Sequence, residues 1–262
     1  MTMPHWMLGT LVFFFGLSLG SFFNVVICRL PAGRSVAHPP SHCPECQTSL
    51  RFYDNIPVLS YLILRGKCRN CSEKISLRYP LVEILTGVLF FALLQKHGLT
   101  PQFFTDLLFV SLLIVVAFID LETFLIPDKL SLPGIVLGFI AAFFTLRVTW
   151  VESLVGILVG GGVLFIIAIL YQYLRGQDGL GGGDIKLLAM IGAFLGTMGV
   201  VFTILASSLM GTIFGVAAMM RSRRQLGTTM IPFGPFLSLG AIFYLFWGEA
   251  LFSWYLGLFL HP

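Results

Sequence analysis

Asp120 closes one apolar stretch, in Phe118-Ile119-Asp120-Leu121-Glu122, and Asp184 opens another, in Gly181-Gly182-Gly183-Asp184-Ile185-Lys186-Leu187. Holding an ionisable group at the margin of hydrocarbon is costly, so each is a functional candidate. Two acids sharing a site can hydrolyse a peptide bond. One, charged, takes a proton from water, while the other, neutral, donates to the scissile carbonyl. Neighbouring carboxyls reach that state because both cannot readily ionise together. By helix ends, Asp184 at a predicted N-terminus is favoured as the anion and Asp120 at a C-terminus as the acid.

Each acid also has a structural explanation. Asp184 could be a helix N-cap, and Asp120 could pair with Lys129 or Lys186. Their common predicted membrane face favours function. Glu122, just past the aligned position, Asp128, after Ile126-Pro127 at the start of a predicted span, and Asp178, in a loop, rank below this pair. Gly179-Leu180-Gly181-Gly182-Gly183 ahead of Asp184 would let an extended peptide backbone lie beside the carboxylate. A phosphate-binding loop would need a following Lys-Ser/Thr and a βαβ unit, and neither is here.

The second chemical constellation is Cys43-Pro44-Glu45-Cys46 with Cys68-Arg69-Asn70-Cys71. Two such knuckles bring four thiolates to the corners of a tetrahedron, which suits Zn²⁺. Two disulfides are the competing reading, and a reducing cytoplasm argues against them. Four closed ligands leave no open position, so the zinc is expected to be structural, stabilising a loop with too small a core to fold alone. His38 and His42 are spare ligands or ordinary loop residues; Cys28 reads as a packing residue.

The elements that must position these groups are membrane helices. The chain is 57% hydrophobic and 11% charged, with a mean hydropathy of +0.93, more apolar surface than a soluble domain hides. Apolar runs predict an all-α integral membrane protein of about eight transmembrane helices: 6–27, 80–96, 102–120, 131–147, 152–174, 184–197, 200–220 and 233–258. Gly196-Thr197-Met198-Gly199 reads as a turn. The first run lacks a basic start and is followed by Arg29 and Arg34, unlike a cleavable signal peptide. Fourteen of the sixteen Lys and Arg then fall on one side, with Lys96 and Arg147 opposite. The positive-inside rule puts the N-terminus outside and the long loop, Asp120 and Asp184 at the cytoplasmic face. The net charge of +4 is accounted for by topology and calls for no nucleic-acid partner. Gly16/Gly20, Gly134/Gly138 and Gly156/Gly160 have the spacing of close helix packing. Trp6, Trp150, Trp247 and Trp254 read as an aromatic belt. The expected organisation is a first helix (1–27), a cytoplasmic zinc-binding loop (28–79), which the family resemblance given next associates with methyl transfer, and a multi-span aspartic peptidase domain (80–262).

At these residues the chain resembles the bacterial prepilin peptidases, GxGD aspartic proteases that remove leaders from type IV pilins and type II secretion pseudopilins. The Gly-x-Gly-Asp pattern of that family matches Gly181-Gly182-Gly183-Asp184. Its other aspartate matches Asp120, in the segment Phe118-Ile119-Asp120 through Ile126-Pro127-Asp128. The paired CxxC loop, the Arg78-Tyr79-Pro80-Leu81-Val82-Glu83 entry to the second span and the multi-span layout also match, over about residues 16–240. The resemblance implies an inner-membrane enzyme that cleaves a short basic leader after glycine at the cytoplasmic face. It also implies N-methylation of the new terminal residue, usually Phe, from S-adenosylmethionine.

Gly66-Lys67 resembles a segment linked to methyl transfer in the family; a solvated loop cation is the plainer reading of Lys67. Glu83, an acid just inside a span, is a further candidate for the methyl-donor site. No Rossmann fingerprint is present. Two alternatives are a peptidase without methyl transfer and a proton-coupled transporter. The second is disfavoured because both acids map to the membrane edge rather than the midplane.

Overall fold

In the computed structural model, residues 4–176, 181–222 and 232–260 are described. They form α1 (His5–Arg29), α2 (Leu59–Ile63), α3 (Arg78–His97), α4 (Pro101–Thr123), α5 (Asp128–Ala141), α6 (Trp150–Arg175), α7 (Gly182–Ser222) and α8 (Gly234–Leu260). Among the described residues, five helices (α1, α3, α4, α6 and α7) are long and apolar enough to cross a membrane, and Gly234–Gly248 of α8 is a shorter apolar stretch. The protein is thus all-helical with several membrane-span candidates. The chain divides into two compact units, 1–115 and 116–262, with the boundary inside α4.

In the first unit α1 packs on α3 through the predicted small-residue stripe. A Cβ on Gly16 would sit 2.7 Å from Gly87 Cα, and one on Gly20 would sit 2.6 Å from Glu83 Cα. Only glycine allows backbones to approach this closely. The intervening loop carries a short 3₁₀ turn, Phe52–Asn55, and α2.

In the second unit, α6 starts with a capping box: Thr149 Oγ1 accepts from the Glu152 N–H, and the Glu152 carboxylate accepts from the Thr149 N–H at 2.8 Å. It then packs along α7. A Cβ on Gly156 would run into the Gly192 carbonyl, and one on Gly192 would run into that of Gly156. The Ser153 hydroxyl donates to Ala193 O at 2.8 Å across the same seam.

The predicted turn at 196–199 is where α7 doubles back. Gly196 has φ 68° and ψ −173°, a conformation that is costly for residues with a Cβ. A Cβ on Gly192 would lie 3.0 Å from Val200 Cγ2. Residues eight apart in a straight helix are separated by about 12 Å along the axis, so 182–195 and 197–222 are two arms of a hairpin. They correspond to the predicted spans 184–197 and 200–220.

The predicted 131–147 span is shorter in the structure. Helix α5 ends at Ala141, with Pro133 inside it, and its 14 residues cover only about 21 Å. Its Gly138 abuts Ala193 and Phe194 of α7.

Candidate aspartate pair and four-cysteine centre

Asp120 lies in the last turn of α4 (Pro101–Thr123) and is 5% exposed. Phe124, at φ 55°, follows the end of that helix, and its N–H donates to Asp120 O at 2.9 Å. Asp184 lies in the first turn of α7 and is half-buried. The two carboxyls are close enough for the charge of one to act on the other.

What holds them is a set of close backbone approaches. Gly183 packs against Ile126, in the connection that follows α4; a Cβ there would fall 2.8 Å from Ile126 Cβ. This seats the start of α7 next to the end of α4. A Cβ on Gly181 would fall 3.3 Å from Asp184 Oδ2, so the glycines also leave one side of that carboxylate uncovered.

Sequence reasoning missed Gly234. Its N–H donates to Asp120 Oδ2 at 2.9 Å, and a Cβ on it would lie 2.7 Å from the same oxygen. Asp120 therefore ends α4 and also meets the first residue of α8. The assignment of acid and base from helix ends does not carry over, because each aspartate faces a helix start. Pro232-Phe233-Gly234-Pro235, opening the last span, was the available signal: a glycine between prolines marks a tight chain approach.

Two structural alternatives change. Asp184 is in the first turn rather than at the N-cap of α7. Lys186 pairs with Asp128 at 2.6 Å, not with Asp120, and this occupies the lower-ranked Asp128. Asp128 itself is the first residue of α5, after the N-cap Pro127. Asp178 and the leading Gly179-Leu180 lie outside the described residues.

In the first unit the two cysteine pairs form matching knuckles. Cys43 N–H donates to Thr48 O at 3.0 Å and Gln47 N–H donates to Cys43 O at 2.9 Å; Cys68 and Ser72 repeat this with Glu73 O and Cys68 O, at 2.7 and 3.0 Å. Gln47 and Ser72, each one residue past the second cysteine, both have positive φ, 56° and 60°. Short bridges, His42–Ser49 and Lys67–Lys74, close each knuckle.

The four sulfurs lie within 4.8 Å of one another, with Cys43 Sγ and Cys71 Sγ 3.8 Å apart. A tetrahedron of Zn–S bonds of about 2.3 Å has S···S edges of about 3.8 Å, so the donor set fits the ion. The cysteines are free thiols, not disulfides. Without a cation their charges conflict. Thr48, through its side chain and backbone, lowers the Cys46 thiol to about 6. Cys71 is pushed up to about 12: the Glu73 backbone pulls it down, but desolvation and the three other thiols outweigh that. Arg69, inside the second knuckle, pairs with Asp54 at 2.6 Å, tying the knuckle to the 3₁₀ turn.

The methyl-transfer candidates lie around α2. Glu83 is 7% exposed; its Oε2 accepts from the Val58 N–H at 2.7 Å, and the Ser21 hydroxyl also bonds to it. Gly66 has φ 67° and packs under Tyr61, where a Cβ would lie 2.7 Å from the hydroxyl oxygen. Lys67 N–H donates to Leu64 O at 3.1 Å. Val58 precedes α2 and Leu64 follows it, so Glu83 and Lys67 attach to opposite ends of that helix. A pair absent from the sequence reading is His97 with Asp106, at 3.1 Å and almost fully buried on the acid side; it clasps the α3–α4 connection.

Residues 14–97 match the bacterial peptidase A24 N-terminal domain, and residues 107–216 match the type IV leader peptidase family. Among curated proteins, the chain is 37% identical to a prepilin leader peptidase/N-methyltransferase of Aeromonas hydrophila, over 97% of this chain and 96% of that one. It is 38% identical to the protein of that name from Pseudomonas aeruginosa, over 92% and 91%, and 34% identical to that of Pseudomonas putida, over 93% and 92%. No solved structure matches. Similarity of this extent along nearly the whole length shows that the chain belongs to the type IV leader peptidase family.

Proposed function

We propose that this chain is an inner-membrane enzyme that removes the leader from type IV prepilins or type II secretion pseudopilins and then N-methylates the exposed terminal residue. The observation that carries the peptidase reading is the seating of the start of α7, which bears Asp184, against the connection that follows Asp120, through Gly183 and Ile126, with Asp120 fixed by the Gly234 N–H. The charged partner takes a proton from water as the oxygen attacks the scissile carbonyl. The neutral partner donates to the carbonyl oxygen, and the proton removed from water passes to the leaving amine. The distribution of Lys and Arg supports an outside N-terminus and a peptidase site at the cytoplasmic face.

Cys43, Cys46, Cys68 and Cys71 would hold a structural zinc that organises residues 28–79 and takes no part in bond breaking. S-adenosylmethionine, when bound, supplies an electrophilic methyl group. Gly66, Lys67 and Glu83 are the candidate residues of that site, and the buried Glu83 carboxylate suits a cationic ligand. The amine must lose a proton before it can attack.

The test is mass spectrometry of a prepilin incubated with membranes containing the enzyme. Leader loss and one added methyl group are expected. Asp120→Asn and Asp184→Asn should each abolish cleavage with expression and insertion intact. Near-normal cleavage by either variant removes that residue from the pair.

A further inference from the structure

The region between α1 and the loop contains an open cavity of about 360 Å³, comparable in volume to small-ligand sites. Its lining is divided by chemistry. Ser18, Ser21, Arg29 and Asn55 present hydroxyls, a guanidinium and an amide, while Phe22 and Pro40 are among the apolar walls. Ser18, Ser21, Phe22 and Arg29 recur at helical spacing, so one face of α1 forms the floor.

Arg29 is part of the construction. Its two terminal nitrogens donate to Ser35 O at 3.2 Å and Pro40 O at 3.4 Å, which pins the loop over α1. A guanidinium has five donors, so others stay available, and its charge remains at the cavity. Behind the floor sits Glu83. It bonds Ser21 on one wall and the N–H of Val58, next to the wall residue Pro57, on the other. A buried carboxylate thus joins the two walls from the side facing α3, opposite in charge to Arg29.

We propose that this cavity is the methyl-donor site. Resting on the methyltransferase reading above, it assigns the donor to α1 and the loop rather than to a nucleotide fold; of the three candidates named there, Glu83 bonds the lining residue Ser21, whereas Gly66 and Lys67 do not line the cavity. A donor of this class has a carboxylate for Arg29, ribose hydroxyls that donate to Ser18 and Ser21, whose own protons go to Phe14 O and Glu83, base nitrogens for the Asn55 amide, and a flat base for the apolar wall. It also has a sulfonium charge for the field of Glu83. Glu83 is a positioning residue, holding both walls and carrying the counter-charge. In the reaction the terminal amine, having released a proton, attacks the methyl carbon. The C–S bond breaks, sulfur keeps the bonding pair as a neutral thioether, and the positive charge moves to nitrogen.

The experiment uses full-length enzyme in detergent with a prepilin substrate, following leader removal and methylation together, and binding of S-adenosylhomocysteine by calorimetry. Ser21→Phe fills the floor and Asn55→Leu removes the amide from an exposed loop position. Both should cleave as the wild type does, which also verifies folding. Both should bind S-adenosylhomocysteine at least tenfold more weakly and show a KM for the donor raised by a similar factor. Glu83→Gln should retain cleavage and shift the donor KM more than kcat.

Wild-type methylation with unchanged donor KM and binding in both Ser21→Phe and Asn55→Leu overturns the cavity assignment alone. Absence of methylation and of S-adenosylhomocysteine binding in the wild type overturns the methyltransferase reading, and the assignment with it.

Discussion

Replacing Gly234 with alanine tests the architecture of the aspartate pair without touching a carboxylate. The new Cβ would lie 2.7 Å from Asp120 Oδ2 and 3.2 Å from its Cγ. Both distances are below ordinary contact, so either the carboxylate or the start of α8 must shift. In either case the N–H bond to Oδ2, now 2.9 Å, is lengthened or lost. A hydrogen bond to a charged group contributes about 1.5–3 kcal/mol. If that stabilisation also serves the reacting geometry, kcat/KM for leader cleavage should fall roughly 10- to 150-fold, at 1.36 kcal/mol per factor of ten. The assay is initial-rate cleavage of a prepilin by purified enzyme. The matched control is Gly162→Ala in α6, where an added Cβ meets nothing within 4 Å. The control should retain full activity. A Gly234→Ala enzyme within twofold of wild type would refute the claim that this contact orients Asp120.

Purified protein should contain one zinc per chain, lost when any of Cys43, Cys46, Cys68 or Cys71 becomes Ser and released on acidification as protons compete for the thiolates; metal-free protein with an ordered loop, by elemental analysis and proteolysis, would contradict this. Lys67→Ala should give processed but unmethylated pilin by mass spectrometry, and fully methylated product would remove Lys67 from the methyl site. Gly192→Ala drives a Cβ into the Gly156 carbonyl, and overpacking of this kind costs about 1–3 kcal/mol. A lower thermal midpoint in detergent is expected, and an unchanged one would mean the α6–α7 seam yields freely.

Much of this protein is written in local sequence, because hydrocarbon imposes a local rule. Long apolar runs must become helices in a bilayer since their backbone groups have no other partners, and α1, α3, α4 and α6 lie close to where the runs predict them. The cysteine centre was equally legible. Each CxxC builds its own knuckle from neighbouring backbone bonds, so only the joining of two prebuilt halves is long-range. Asp120 and Asp184 stood out because acids at apolar margins are costly.

The tertiary structure decided whatever depends on distant segments meeting. Gly234 is 114 positions from Asp120, and the Pro232-Phe233-Gly234-Pro235 run marks a tight approach without naming its partner. Lys186 was read from sequence as a possible partner of Asp120, and packing of α5 on α7 gave it to Asp128. The length of α5 and the fold-back at Gly196 were set by how helices fit against one another. Hydropathy records how apolar a segment is, but not how it packs on distant segments, such as Gly138 beneath the side chains of Ala193 and Phe194.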